Sequence, residues 1–244
     1  MEWVAKGLEG LLYRLWQYRI ARIGGRIIVI ALLARFTIFA VEAYLELGTI
    51  NYLLLVVSEF LTLGLVVFAR DTTKVGFGGV AFFSAFAGSF YYILFNFESG
   101  IGLVSLHYAE LLQVAALLFQ IYAKLSLGRS FGLLPANRGV VTKGAYRLVR
   151  HPIYLGYFLG HLGFILGNFS FHNLFILVFL YFFQVLRILE EEKVLREDEA
   201  YLSYCAKTNV INLSCSPAQG KPPEAASRHG RRAMTRPLPL NQAV

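Results

Sequence analysis

The stretch RLVRHPIYLGY, Arg147 to Tyr157, sets Arg150, His151 and Pro152 directly before an apolar run and places Tyr154 and Tyr157 inside it. Pro152 suits the first turn of a helix, where a missing N–H costs no hydrogen bond. His151 then falls at the helix cap. Such a helix start points its free N–H groups and partial positive charge outward and stabilises an anion, a carboxylate for example. Downstream, RILEEEKVLREDEAYLSY runs from Arg187 to Tyr204. Arg187 and Glu191 are four apart and share a helix face, and Glu191 and Glu192 form an acidic cluster. An anion-favouring helix start, tyrosines, an arginine and paired carboxylates suit a zwitterionic ligand of mixed charge. Each piece alone has a plainer reading. Arg-His-Pro can be a basic anchor, the acidic run a solvated helix face, and Arg187–Glu191 a surface ion pair worth about 0.5 kcal/mol. The combination argues for a site.

The elements that must position these residues are membrane helices. The chain has 244 residues, 57% hydrophobic and only 16% charged, whereas a soluble domain is nearer a quarter charged. Spanning a bilayer takes roughly 20 apolar residues. Four stretches qualify, Ile27–Leu47, Ile50–Ala69, Val75–Phe95 and Leu103–Ala123, and two shorter ones follow, Ile153–Leu166 and Phe171–Leu189. Only Gly167 to Ser170 separate the last two, which predicts a tight helical hairpin. The fold expected is all-α: a polytopic bundle of about six transmembrane segments with a C-terminal hairpin and a long cytoplasmic loop that could bind the mixed-charge ligand.

Basic residues set the orientation. Lys6, Arg14, Arg19, Arg22 and Arg26 precede the first span, Arg70 and Lys74 follow the second, and Lys124, Arg129, Arg138, Lys143, Arg147 and Arg150 follow the fourth. The remaining loops carry no Lys or Arg. Six spans with both termini cytoplasmic put every basic loop on one side. The net charge of +8 is therefore a membrane-surface signal, and no nucleic-acid motif competes with it. The expected organisation is an interfacial N-terminal segment over 1–26, four transmembrane helices over 27–123, a core of loop, hairpin and cytoplasmic helix over 124–206, and a disordered tail over 207–244, where most of the prolines fall.

Charges at membrane depth default to a functional hypothesis. Arg35, Glu42, Glu59 and Glu110 lie inside expected spans, with Glu110 the foremost candidate for chemistry. Glu42 is close to a span end, and Arg35 can pair within the bundle. No metal is implied, because no HExxH, P-loop or His-rich ligand set occurs. Cys205 and Cys215 lack the spacing of a disulfide framework and read as free thiols. The glycines at Gly76–Gly79 read as close helix packing.

The run GVVTKGAYRLVRHPIYLGY, followed after one hairpin by Arg187, Glu191, Glu192, Leu195, Tyr201 and Tyr204, resembles the isoprenylcysteine carboxyl methyltransferase family. The bacterial branch, related to phospholipid methyltransferases, is the nearest in pattern, including the lead-in LGRSFGLLPANRG. The resemblance covers about Leu125–Ala206. It implies an integral membrane methyltransferase that uses S-adenosylmethionine. The cofactor pocket it implies comprises Gly139, Val140, Val141, Tyr146, His151, Pro152, Ile153, Tyr154, Glu191 and Glu192, with Arg187 facing the acceptor as the catalytic residue. Members commonly continue past the second tyrosine into an Arg-rich stretch and a hydrophobic-Pro-Gly ending. This chain continues TNVINLSCSPAQGKPP instead.

Methyl transfer depends on alignment and charge placement more than on a strong base, so the lack of a catalytic triad or metal does not count against an enzyme. The expected partners are the bilayer and a lipophilic or amphiphilic acceptor, a prenylcysteine-type carboxylate among them. The expected location is the inner or cytoplasmic membrane. A second class is a membrane reductase of the sterol-reductase type using NADPH, which carries a similar Arg-His-Pro-x-Tyr-x-Gly element. There the variable position is often Asn and an acidic residue tends to follow the glycine. Ile153, Tyr157 and the Glu191–Glu192 pair favour methyl transfer. A transporter or scaffold would predict inverted repeats or helices broken at the midplane, and the chain has no repeat.

Overall fold

In lipid every backbone polar group must be satisfied within the protein, and apolar runs of this length do so by coiling into helices. The computed structural model describes residues 18–72, 94, 96, 100–132 and 134–208, and these form an all-α membrane helix bundle. Among the described residues, four helices are long and apolar enough to cross a membrane: α1 (Arg19–Leu47), α2 (Ile50–Val67), α3 (Leu106–Leu127) and α5 (Phe171–Leu195). Between the last two lies the shorter apolar helix α4 (Pro152–Gly167), and α6 (Glu199–Cys205) follows α5. The expected span Val75–Phe95 apart from Leu94, the interfacial segment before Tyr18 and the tail beyond Thr208 lie outside the described residues.

The connections explain themselves locally. Gly48 takes the left-handed conformation at φ 63 and returns its N–H to the Tyr44 carbonyl at 2.8 Å. It ends α1 and folds α2 straight back on it. The predicted hairpin after Gly167 is present: the Ser170 hydroxyl caps α5 by accepting from the Asn173 N–H at 3.1 Å. Asn173, fully buried, also holds the Asn96 backbone, accepting from its N–H at 3.0 Å and donating to its carbonyl at 2.8 Å.

Helix α3 is the axis of the bundle, packed on α2 on one side and along α4 on the other. The α3–α4 seam is made of small residues. Gly156, Gly160, Gly163 and Gly167 recur at intervals of four, three and four along α4, so one stripe faces Ala109, Gln113, Ala116 and Gln120 of α3. Small residues let helix backbones approach in lipid, where no hydrophobic effect drives them together.

Near the loop end of the bundle, Lys124 is completely buried. Its ammonium donates to the Ser58 hydroxyl at 2.7 Å, stands 3.7 Å from a Glu59 oxygen, and lies 5.8 Å over the Tyr157 ring. The charge at depth on Glu59 is thus paired within the protein. Arg35 and Glu42 lie on exposed positions of α1. Glu110 stands near the start of α3, about 20 Å along the helix axis from Lys124, at the other end of the bundle from the loop.

The α3–α4 seam makes a sharp prediction. A Cβ at Gly163 would stand 2.9 Å from the Ala109 carbonyl oxygen, whereas one at Gly160 meets nothing closer than 3.6 Å. Thermal unfolding in detergent should show Gly163→Ala destabilised by about 1–3 kcal/mol. Gly160→Ala should be neutral or stabilised through helix propensity.

Candidate active site

Two short devices shape the loop between α3 and α4. Gly144 opens the 3-10 turn Gly144–Arg147 at φ 62, and a Cβ there would fall 2.3 Å from the Ser126 hydroxyl. That hydroxyl instead accepts from the Ala145 N–H at 3.2 Å. Gly139 sits at φ 101 with the Arg70 guanidinium 3.0 Å from where its Cβ would be. Only glycine fits both conformations. The basic residues read as anchors also tie the loop down. Arg70 donates to the Arg138 carbonyl at 3.3 Å, Arg129 to the Phe68 carbonyl at 3.0 Å, and Thr72 to the Asn137 carbonyl at 2.9 Å. These donors satisfy carbonyls that the end of α2 and the loop would otherwise leave open.

The loop, α4, α5 and α6 converge on Glu192, which is 1% exposed. His151 Nε2 lies 2.8 Å from its Oε1, and the Tyr201 hydroxyl donates to the same oxygen at 2.7 Å. Arg196, one turn on, reaches Oε2 with both Nε and Nη2 at 3.1 Å, and Arg150 Nη1 stands 3.6 Å from Oε1. Burial and the Glu192 carboxylate both push the Tyr201 pKa up, so its hydroxyl stays protonated and donates. Tyr204 does the neighbouring job, donating to the Tyr146 carbonyl at 2.6 Å. Burial likewise raises the pKa of Tyr204 and of Tyr146, the latter also through nearby Glu191.

Glu191 has a different surrounding. The Tyr154 hydroxyl donates to its Oε2 at 3.0 Å, and the Arg187 guanidinium lies 5.7 Å over the Tyr154 ring. The predicted Arg187–Glu191 pairing therefore meets at Tyr154. The Glu191 carboxylate is half-buried and has no other hydrogen-bond partner among the described residues.

The remaining expected residues divide by burial. Ile153 is buried in a cluster with Leu33, Val66, Ala123, Phe131 and Ala145, and Pro152 is fully buried beside it. Val140 packs on Tyr201, Tyr204 and Cys205. Val141 is half-buried and Gly139 exposed at the rim. His151 occupies the cap position, but its side chain bonds Glu192 instead of capping the backbone.

Three features escape sequence reasoning. Arg138 is largely buried and its Nε has no hydrogen-bond partner among the described residues. Burial lowers its pKa, while nearby Glu191 raises it. A Cβ at Gly132 would strike the Arg138 guanidinium at 2.2 Å, so that glycine makes its room. Asn137 bridges the loop to α6, donating to Asp198 at 2.8 Å and accepting from the Gly139 N–H at 2.9 Å. Finally, Cys205 is disulfide-bonded, which corrects the free-thiol reading. Spacing along a chain does not report such a pairing. Its sulfur also accepts from Arg150 Nη1 at 3.0 Å.

Removing the Glu192 carboxylate would strand Arg150, Arg196 and His151 together. We expect Glu192→Ala to cost about 3 kcal/mol or more and Tyr201→Phe about 1.5 kcal/mol, measured by thermal unfolding. Equal costs would show that the carboxylate is not the shared anchor.

Against known proteins, the sequence model of the phospholipid methyltransferase family matches residues 97–198. That stretch runs from just past the expected third span through α3, the loop, α4 and α5 to the Asp198 cap of α6. Neither the curated proteins nor the solved structures gave a match. Over its loop and hairpin the chain is similar to phospholipid methyltransferases.

Proposed function

We propose that the chain is an integral membrane methyltransferase that binds S-adenosylmethionine at the junction of the loop, α4 and α5. We further propose that it acts on a lipophilic or amphiphilic acceptor, a prenylcysteine-type carboxylate among the candidates. The site and both termini would face the cytoplasm. The observation that carries this reading is the division between two adjacent carboxylates. Glu192 is saturated by protein donors, while among the described residues Glu191 accepts a hydrogen bond from Tyr154 only and has capacity left.

The residues present fit the cofactor. It is a zwitterion, and the site opposes a partly satisfied carboxylate on Glu191 to the Arg138 guanidinium, whose buried Nε has no hydrogen-bond partner among the described residues. Glu191 suits an ammonium or ribose hydroxyls, and Arg138 suits a carboxylate. When bound, S-adenosylmethionine supplies an electrophilic methyl group on a sulfonium. Gly139, Val140 and Val141 form the rim, with Gly139 admitting close backbone approach. Tyr154 orients Glu191 by its hydrogen bond and presents its ring to the Arg187 guanidinium. Arg187 receives the acceptor's polar head and aligns it. His151, Pro152, Ile153, Tyr146 and Glu192 hold this rim in place from behind. Alignment of this kind is the main contribution a protein makes to an in-line displacement with a good leaving group.

The alternative, an NADPH-dependent reductase, would call on a cationic set for the extra phosphate. The groups beside Tyr154 include the Glu191 carboxylate, which favours the sulfonium cofactor.

Labelled-methyl transfer from S-adenosylmethionine into a membrane lipid extract tests the reading, with the labelled product then identified. Glu191→Gln should weaken cofactor binding about tenfold or more, the loss of one charge-assisted contact. Arg187→Ala should leave that binding intact and raise the acceptor KM. Small, equal effects on both would return the pair to a purely structural role.

A further inference from the structure

Helix α5 meets α4 through a ladder of long side chains. At the top, His151 meets Glu192 and Tyr154 meets Glu191, with Arg187 over the Tyr154 ring. Deeper, His161 Nδ1 and the Tyr181 hydroxyl lie 2.8 Å apart. On α5 these rungs are spaced at 181, 187, 191 and 192; of the two other polar residues between them, Glu190 pairs with Lys193 on its own helix, which leaves Gln184. Gln184 is one turn from Tyr181 and one turn from Arg187, centrally on the buried face that also carries Leu177 and Leu180. It is 4% exposed, and its Oε1 is buried and accepts no hydrogen bond from the described residues. Every other rung has a partner across the seam; Gln184 has none among the described residues.

An amide oxygen without a partner inside a membrane bundle is costly, and an apolar side chain would serve packing better. A group that completes its hydrogen bond would remove that cost. By helix geometry Gln184 lies roughly 5 Å deeper than Arg187, on the lipid side of the proposed reacting centre. A water-soluble cofactor held at Glu191 and Arg138 enters from the other side. We propose that Gln184 is an acceptor-recognition residue. Its Oε1 takes a hydrogen bond from an N–H or O–H that the lipid-dissolved methyl acceptor carries close to the group received by Arg187. The acceptor class is thereby narrowed to amphiphiles with a hydrogen-bond donor at the junction of head and tail. A long-chain ester, ether or quaternary ammonium lacking such a donor would be excluded.

This proposal rests on the methyl-transfer reading for the word acceptor, and the experiment separates the two. The probes are dodecanol and dodecyl methyl ether, which share a tail and differ in one O–H. Apparent affinities come from thermal-shift titrations of the full chain in detergent. S-adenosylmethionine is titrated into the same preparations by calorimetry. In the wild type, dodecanol should bind about tenfold more tightly than the ether, the worth of one buried hydrogen bond. Gln184→Met should unfold no earlier than the wild type, bind both probes alike, and keep its cofactor affinity. Equal binding of the two probes by the wild type overturns the proposal, as does discrimination that survives in Gln184→Met. Loss of the fold in both Gln184→Met and Gln184→Leu would mark the amide as structural and overturn it too. Discrimination without cofactor binding upholds the donor-reading site and sinks the reaction.

Discussion

A carboxylate withdrawn from water is tolerated only when donors surround it, and Glu192 is surrounded from three elements. His151 comes from the start of α4, Arg196 from the end of α5 and Tyr201 from α6, with Arg150 close behind. The elements on which the candidate site stands are joined at this one side chain. The interaction is too heavily desolvated to count as a large net stabiliser. Its effect is positional: it fixes how far α4 and α5 stand apart at the loop end, and so where Tyr154, Arg187 and Glu191 meet.

The α3–α4 seam supplies the opposing constraint. Glycines along α4 bring it against α3 with backbone-level contact, so α4 cannot move toward α5 without opening that seam. The α4–α5 seam is then spanned by side chains instead of backbone proximity. A seam of that kind can be polar, and this one is, from Glu192 down to Tyr181. The buried Lys124, paired with Glu59 and lying over Tyr157, sits on the other side of α4. It brings a compensated charge pair to the α2–α3–α4 junction, below the loop.

Much of this was legible in the sequence. Pro152 marks a helix start because a helix does not need that N–H, and Gly167 to Ser170 are too few to be anything but a hairpin. The four-residue spacing of Arg187 and Glu191 put them on one face. What the sequence could not distinguish was the two neighbouring glutamates. Adjacent residues on a helix point about 100° apart, and which one turns inward depends on where α6 returns. The Tyr201–Glu192 hydrogen bond decides it, and that contact spans elements. Ile153 reads as a site residue by its motif, yet it faces a core that includes Leu33 and Val66 of distant helices. The room that Gly132 makes for Arg138 exists only in three dimensions, so the sequence does not mark that arginine out from the other basic residues of the loop. Gln184 is one polar residue in an apolar helix, and its missing partner becomes meaningful only once its burial is known.

The central claim is that Glu191, Tyr154 and Arg138, framed by Glu192, form a site for a sulfonium zwitterion. Calorimetric titration of the detergent-solubilised wild-type chain with S-adenosylmethionine and, separately, with NADPH tests it most directly. Saturable heat with S-adenosylmethionine and none with NADPH is the predicted result. Saturable binding of NADPH with no response to S-adenosylmethionine or its demethylated product would contradict the account.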